Sequence, residues 1–198
     1  MKWSLPPGSG IRTDFKESSL MNLPNKLTML RVAAIPVFIV VYLMGYNIAA
    51  TVIFIAAAAT DALDGHIARS RDLVTNFGKL MDPLADKLLT MSAFLCLVEF
   101  SIVPAWMVIV ILGREFAVTG LRQIAAAEGT VMAAGVTGKI KTVLQMVSIP
   151  MLMLNNWPGC YIGFPLDQVC LWACVIMTIV SGTEYFVKNW KVVTGQGM

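Results

Sequence analysis

The chain has 198 residues, of which 57% are hydrophobic and 14% are charged, and its mean hydropathy is +0.73. A soluble globular domain is about 45–50% apolar and about 25% charged, so this composition excludes an ordinary soluble domain and favours a helical membrane protein. The formal net charge of +3 is too small to indicate a nucleic-acid-binding protein.

The chain divides into a polar start and a long apolar remainder. Residues 1–20 contain no apolar run, so we expect them to form a flexible tail, either native or added by cloning. Residues 21–198 are expected to form a single six-helix membrane catalytic domain. Each predicted span is close to the roughly 20 residues that a helix needs to cross a bilayer. The six spans are 27–43, 48–69, 77–99, 103–127, 136–154 and 166–186.

Lysine and arginine residues gather at one set of span ends. The connections near 45–47, 99–103 and 155–165 contain neither residue type, whereas the other connections and both flanks are basic. The positive-inside rule places the basic connections on the cytoplasmic side of a membrane. The predicted fold is therefore an all-α integral membrane protein with six transmembrane helices and both termini in the cytoplasm.

Four aspartates stand within or beside the second and third spans, where carboxylates are rare. Asp61 and Asp64 are three residues apart, and Asp82 and Asp86 are four apart, so each pair lies on one helix face. Consecutive spans run antiparallel, which lets the two pairs converge. A lone charge at bilayer depth costs about 3 kcal/mol, and ligands that are all oxygen suit Mg²⁺, Mn²⁺ or Ca²⁺. Four carboxylates can share two such ions, as in phosphoryl-transfer enzymes.

The residues around the aspartates favour a nucleotide diphosphate ligand. Gly65 and Ala68 lie on the same side of the second span as its two aspartates, and Gly78 precedes the third aspartate by one turn. Small side chains at these positions let a flat or bulky group approach the helix backbone. Arg69 adds a guanidinium group suited to a pyrophosphate.

The spacing of these residues resembles the full signature of the CDP-alcohol phosphotransferases. The matching pattern is Asp61-x2-Asp64-Gly65-x2-Ala68-Arg69-x8-Gly78-x3-Asp82-x3-Asp86. The resemblance implies two divalent cations, Mg²⁺ or Mn²⁺, with Asp61 and Asp82 bridging both. Asp64 would complete one ion site and Asp86 the other, and Asp86 would also be the general base. The cytidine diphosphate part of a CDP-diacylglycerol donor would be held by Asp64, Gly65, Ala68, Arg69 and Gly78.

Three further segments look like parts of bacterial phosphatidylglycerophosphate synthases, namely residues 22–31, 113–122 and 138–142. Such segments distinguish acceptors within the family, so this resemblance favours glycerol 3-phosphate as the acceptor. The resemblance also implies a homodimer. With the charge topology, it indicates a multi-pass protein of the bacterial cytoplasmic membrane whose active site faces the cytoplasm. Weaker candidate site residues in these segments are Asn25, Thr28, Arg31 and Lys141.

An arginine about halfway along the fourth span supports an anionic acceptor independently. Arg114 would be costly there as an unpaired cation. Together with Arg122 and Lys139 it can form a cationic pocket that binds the phosphate of the acceptor. We expect Glu115 to form a salt bridge with a neighbouring cation rather than to act in catalysis. Lys141 is also basic and lies near Lys139 in the sequence. Membrane topology alone explains its charge better than it explains the charges of the other three residues.

The predicted reaction is a single in-line displacement. The 1-hydroxyl of glycerol 3-phosphate, deprotonated by Asp86, attacks the lipid-side phosphorus of CDP-diacylglycerol, and CMP leaves. One alternative is the same chemistry with another acceptor alcohol, such as phosphatidylglycerol, inositol phosphate or serine. The others are a magnesium-dependent membrane prenyltransferase and a cation transporter or channel. A transporter is disfavoured because the acids gather at one membrane face and no internal repeat is visible.

Overall fold

The computed structural model describes residues 23–70, 76–127 and 135–190, and the side chains of residues 29–60, 84–85, 87–126 and 135–190. This part of the chain contains six α-helices and one short 3₁₀ helix, and no β-strand. The helices are α1 (Leu23–Leu43), α2 (Asn47–Ser70), α3 (Asn76–Glu99), α4 (Ala105–Ala127), α5 (Val136–Met153) and α6 (Leu166–Lys188), and the 3₁₀ helix is Gly159–Tyr161. The predicted tail, residues 1–20, lies outside the described residues.

The six predicted spans correspond one to one to the six helices, so the all-helical prediction is confirmed. Their ends agree within two residues except at the start of α1, which begins at Leu23 rather than at residue 27. Pro24 stands in the first turn of α1, where a backbone N–H has no partner within the helix. Proline is therefore compatible with the longer helix.

Three helices end in the same backbone geometry at one end of the bundle. After α1, Gly45 has a φ of +84°, and the N–H of Tyr46 donates to the carbonyl of Val41 at 3.2 Å. After α3 and α5, Ser101 and Asn155 have φ of 56° and 51°, and the equivalent hydrogen bonds are both 2.9 Å. These are Schellman motifs, which satisfy the last carbonyls of a helix. Between α1 and α2 the motif reverses the chain within three residues.

The apolar core fills the half of the bundle next to these turns. The ring of Phe38 is fully buried, 6.2 Å from the ring of Tyr42 and 6.1 Å from that of Phe54. Tyr42 meets Phe100 edge to face at 5.3 Å. Buried side chains from the other helices complete this core, among them Leu97, Ile111, Ile149, Leu152 and Leu171. The basic residues of the described part are thereby left to the opposite half.

The outer surface of the helices is largely apolar. Among the described residues, 33 large apolar side chains are exposed, and a soluble monomer rarely exposes apolar patches above a few hundred Å². In the described part of the chain, α6 alone is long and apolar enough to cross a membrane, while Met29–Leu43 and Asn47–Thr60 are shorter apolar stretches. The fold is compatible with a membrane protein.

We expect Phe38→Ala to lower the free energy of unfolding by about 3–5 kcal/mol, because it leaves a cavity at the centre of the core. Thermal unfolding in detergent, followed by the circular dichroism of the helices, measures the loss. The matched control is Phe116→Ala, because the Phe116 side chain is 55% exposed. Equal losses in the two variants would contradict this position of the core.

Candidate active site

The predicted donor half of the site falls on helical backbone. α2 is helical through Asp61 and Asp64, and α3 is helical through Asp82 and Asp86, so each pair is about one turn apart. The side chains of all four aspartates lie outside the described residues. Six other predicted site residues also lie outside the part of the chain whose side chains are described: Asn25, Thr28, Gly65, Ala68, Arg69 and Gly78. Their roles stay predictions.

A cavity of about 600 Å³ opens at the end of the bundle opposite the core. It is formed by α3, α4, α5 and α6, and the three residues of the predicted acceptor pocket all line it. Its described lining contains five basic and two acidic residues, so these charges sum to +3. They are Lys87, Arg114, Arg122, Lys139 and Lys188, with Glu115 and Glu184.

Glu115 is the centre of the charged cluster beside this cavity. Its carboxylate accepts hydrogen bonds from Lys87 Nζ at 2.9 Å, from Arg114 Nη1 at 2.9 Å and from Lys141 Nζ at 2.5 Å. These cations come from α3, α4 and α5, so one carboxylate ties three helices together. The predicted salt bridge of Glu115 is confirmed, with three partners.

The position of Lys141 differs from the sequence-based interpretation. Membrane topology would place its charge at a surface, but the side chain is only 2% exposed and is paired with Glu115. Lys139, two residues earlier, lines the cavity. Two residues correspond to about 200° of helix rotation, so the two lysines of α5 face nearly opposite directions. Lys141 is therefore a buried counter-ion.

Both arginines of the cavity have an unsatisfied nitrogen. The Nε atoms of Arg114 and Arg122 are buried and have no hydrogen-bond partner among the described residues. The Arg122 guanidinium lies 5.6 Å from the ring centroid of Tyr185, a cation–π contact that holds it against α6. Buried donors without partners cost free energy, so an anion that the guanidinium groups can bind would be favoured here.

A second acidic group on the cavity wall was not predicted from the sequence. Thr137 Oγ1 donates to Glu184 Oε2 at 2.7 Å, and Lys188 pairs with the other oxygen of the same carboxylate. The sequence did contain a signal for Glu184, because an acidic residue in the apolar sequence of α6 is as unusual as the aspartates of α2 and α3. Thr137 carried no such signal, because its partner lies 47 residues away along the chain.

Arg31, a weaker candidate from the sequence, lies between two helices. It is buried, and its Nε donates to the carbonyl of Ala57 at 3.3 Å. Ala57 stands on α2 about one turn before Asp61. Arg31 therefore contributes to packing α1 against the segment that carries the first aspartate pair.

A larger cavity of about 880 Å³ lies at the opposite end, between the turn after α1 and the segment after α5. It is lined by Tyr46, Asn47, Met153 and Trp157, among others, and its described lining contains no acidic or basic side chain. Because phosphate chemistry needs charged groups, the smaller cavity is the better candidate site.

One protein family and several named bacterial proteins are similar to this chain over most of its length. A family model described as CDP-alcohol phosphatidyltransferase matches residues 21–180. The chain is 47% identical over 187 residues to a Bacillus subtilis protein named CDP-diacylglycerol--glycerol-3-phosphate 3-phosphatidyltransferase, covering 87% of this chain and 97% of the relative. It is 39% identical over 169 residues to a Rickettsia bellii protein of the same name, with coverages of 83% and 93%. A probable phosphatidylglycerophosphate synthase of Mycobacterium tuberculosis H37Rv is 35% identical over 182 residues, with coverages of 89% and 85%.

We expect Glu115→Gln to lower the free energy of unfolding by about 3–5 kcal/mol, because it leaves Lys141 buried without a counter-ion. Thermal unfolding in detergent measures this loss. The double variant Glu115→Gln/Lys141→Met should recover most of it, since the buried charge is then removed as well. Glu184→Gln is the control and should change stability much less, because Lys188 is 68% exposed. No recovery in the double variant would contradict the role of Glu115 as counter-ion to Lys141.

Proposed function

Because this chain belongs to the CDP-alcohol phosphatidyltransferase family, we propose that it transfers the phosphatidyl group of CDP-diacylglycerol to glycerol 3-phosphate. The products are phosphatidylglycerophosphate and CMP. The observation that carries the choice of acceptor is the cavity with a lining charge of +3. The names of the Bacillus and Rickettsia relatives support the same choice.

The charge of the cavity favours a phosphate monoester over a neutral acceptor. Arg122 and Lys139 line it and pair with no acidic side chain in the described part of the chain. A phosphate dianion would accept charge-assisted hydrogen bonds from them and from Arg114. Serine or another acceptor without a phosphate would leave these cations without a counter-charge. The cavity volume is ample for a three-carbon phosphate.

The reaction is an in-line displacement at phosphorus. The 1-hydroxyl oxygen of glycerol 3-phosphate forms a bond to the phosphorus that carries the diacylglycerol. The bond from that phosphorus to the oxygen of CMP breaks, and the hydroxyl proton passes to Asp86. The developing charge on CMP is balanced in part by Arg69. Gly65, Ala68 and Gly78 leave room for the cytidine diphosphate of the donor against the helix backbone.

The four aspartates fit two divalent cations, Mg²⁺ or Mn²⁺. Their donor atoms are all oxygen, and both helices run without a break through the four positions. Asp61, Asp64, Asp82 and Asp86 would hold the ions. When bound, the cations would supply positive charge to the diphosphate of the donor.

The proposed setting is a bacterial cytoplasmic membrane, with both termini and the site on the cytoplasmic side. Exposed apolar side chains around the bundle support membrane embedding. The basic residues of the described part gather at the cavity end, and the positive-inside rule places this end in the cytoplasm. The acyl chains of the donor would stay in the bilayer while its head group reaches the cavity. We also propose a homodimer, which the family resemblance alone supports.

Purified protein with Mg²⁺, CDP-diacylglycerol and glycerol 3-phosphate should release CMP, measured by chromatography, and EDTA should stop the release. Asp86→Asn should lower kcat about 10²–10⁴-fold, because the general base is lost. Metal binding by calorimetry should be largely retained, because the asparagine oxygen and the other three aspartates can still hold the ions. Asp167→Asn, at the other end of the bundle, is the matched control and should stay near wild type. CMP release with inositol phosphate or serine, but not with glycerol 3-phosphate, would contradict the proposed acceptor. It would still support CDP-diacylglycerol as the donor.

Arg122→Ala should raise KM for glycerol 3-phosphate by about 10–100-fold, because charge-assisted hydrogen bonds contribute about 1.5–3 kcal/mol. KM for CDP-diacylglycerol should change by less than about twofold, since the donor is bound by α2 and α3. Steady-state kinetics with each substrate varied in turn separates the two constants. Gln123→Ala, the neighbouring exposed residue, is the control. An equal rise in both KM values would remove Arg122 from the acceptor pocket.

A further inference from the structure

We propose that Arg114 is held in a positioning slot formed by the Glu115 carboxylate on one side and by the bare helix backbone at Gly138 and Gly182 on the others. The slot fixes the guanidinium group where the acceptor phosphate binds, so these three residues act on the reaction through Arg114. The inference rests on the proposed function for the identity of the acceptor.

The two glycines leave space that the Arg114 side chain occupies. A Cβ atom built at Gly182 of α6 would lie 3.0 Å from Arg114 Cγ, which is too close by a few tenths of an ångström. A Cβ at Gly138 of α5 would lie 3.5 Å from Arg114 Nη2, an ordinary van der Waals contact. The stem of the arginine therefore packs directly on α6, and its tip passes close to the backbone of α5.

Glu115 fixes the orientation of the guanidinium group within this space. Its Oε1 accepts a hydrogen bond from Arg114 Nη1 at 2.9 Å. Lys141 binds the same oxygen from α5, and Lys87 binds Oε2 from α3 at 2.9 Å. A carboxylate held from two other helices cannot rotate freely, so it holds the arginine in turn. Only 14% of the Arg114 side chain is exposed, which restricts it further.

The slot also connects the acceptor cavity to the helix of the predicted general base. Lys87 directly follows Asp86 on α3, and its side chain ends on the carboxylate that binds Arg114. The position of Arg114 relative to this part of α3 is therefore set by two ion pairs. An arginine held in this way presents its donors to the acceptor phosphate in one place, so the slot contributes to the affinity for the acceptor.

Gly182→Ala tests the slot without changing any charge. The added methyl group meets one described atom within 4 Å, Arg114 Cγ, and alanine favours a helix more than glycine does, so the variant should fold. We expect KM for glycerol 3-phosphate to rise about five- to tenfold, with kcat and KM for CDP-diacylglycerol changed less than about twofold. Gly138→Ala should raise the same KM less, because its methyl group makes only an ordinary contact.

Gly120→Ala is the matched control, since a Cβ at Gly120 of α4 meets nothing within 4 Å of the described structure. A double-mutant cycle then shows whether Gly182 acts through Arg114. In an Arg114→Ala background, Gly182→Ala should have no further effect on KM, because the atom that it displaces is absent. The proposal is overturned if Gly182→Ala behaves like Gly120→Ala, or if its full effect persists without Arg114.

Binding without turnover separates the slot from the proposed reaction. Glycerol 3-phosphate should raise the Tm of the donor-free wild-type protein, and the same concentration should raise the Tm of Gly182→Ala less. If the Tm shift is larger for the wild-type protein than for Gly182→Ala but the wild-type protein releases no CMP, the proposed reaction is overturned and the slot is supported. Equal Tm shifts in the two proteins would overturn the slot, whatever the activity.

Discussion

The charged half of the bundle depends on the contact between the Glu115 carboxylate and its three cations. Lys87, Arg114 and Lys141 end on the same two oxygen atoms, and without a negative charge between them they would repel one another. Because they come from three helices, this carboxylate brings α3, α4 and α5 together where no apolar core can do so. The cavity walls exist because these helices meet at Glu115.

The two halves of the bundle are stabilised by different interactions. Next to the Schellman turns, close packing of Phe38 and its neighbours stabilises the fold, as in any apolar core. At the cavity end, ion pairs and glycine contacts replace such packing and leave about 600 Å³ open. The cavity therefore lies in the half of the bundle that lacks close apolar packing.

The helices and the pocket arginines could be predicted from the sequence, because both leave local signals. Apolar runs bounded by turns predicted all six helices, and cations within apolar spans predicted Arg114, Arg122 and Lys139. Contacts between distant residues left no such signal. The burial of Lys141 depends on a carboxylate 26 residues away, and the role of Gly182 depends on a side chain of another helix. Nothing in the local sequence distinguishes these residues from a surface lysine or an ordinary helix glycine.

The pairing around Glu115 also decides which positive charges remain for a ligand. Lys141 is buried and paired with Glu115, and Lys188 is paired with Glu184. Arg122 and Lys139 face the cavity without an acidic partner in the described structure, and Arg114 uses only Nη1 for Glu115. A phosphate dianion bound among these three groups would offset most of the charge that the fold leaves on the cavity wall. The internal ion pairs thus favour an anion in this cavity, because a neutral molecule would leave that charge uncompensated in a partly buried site.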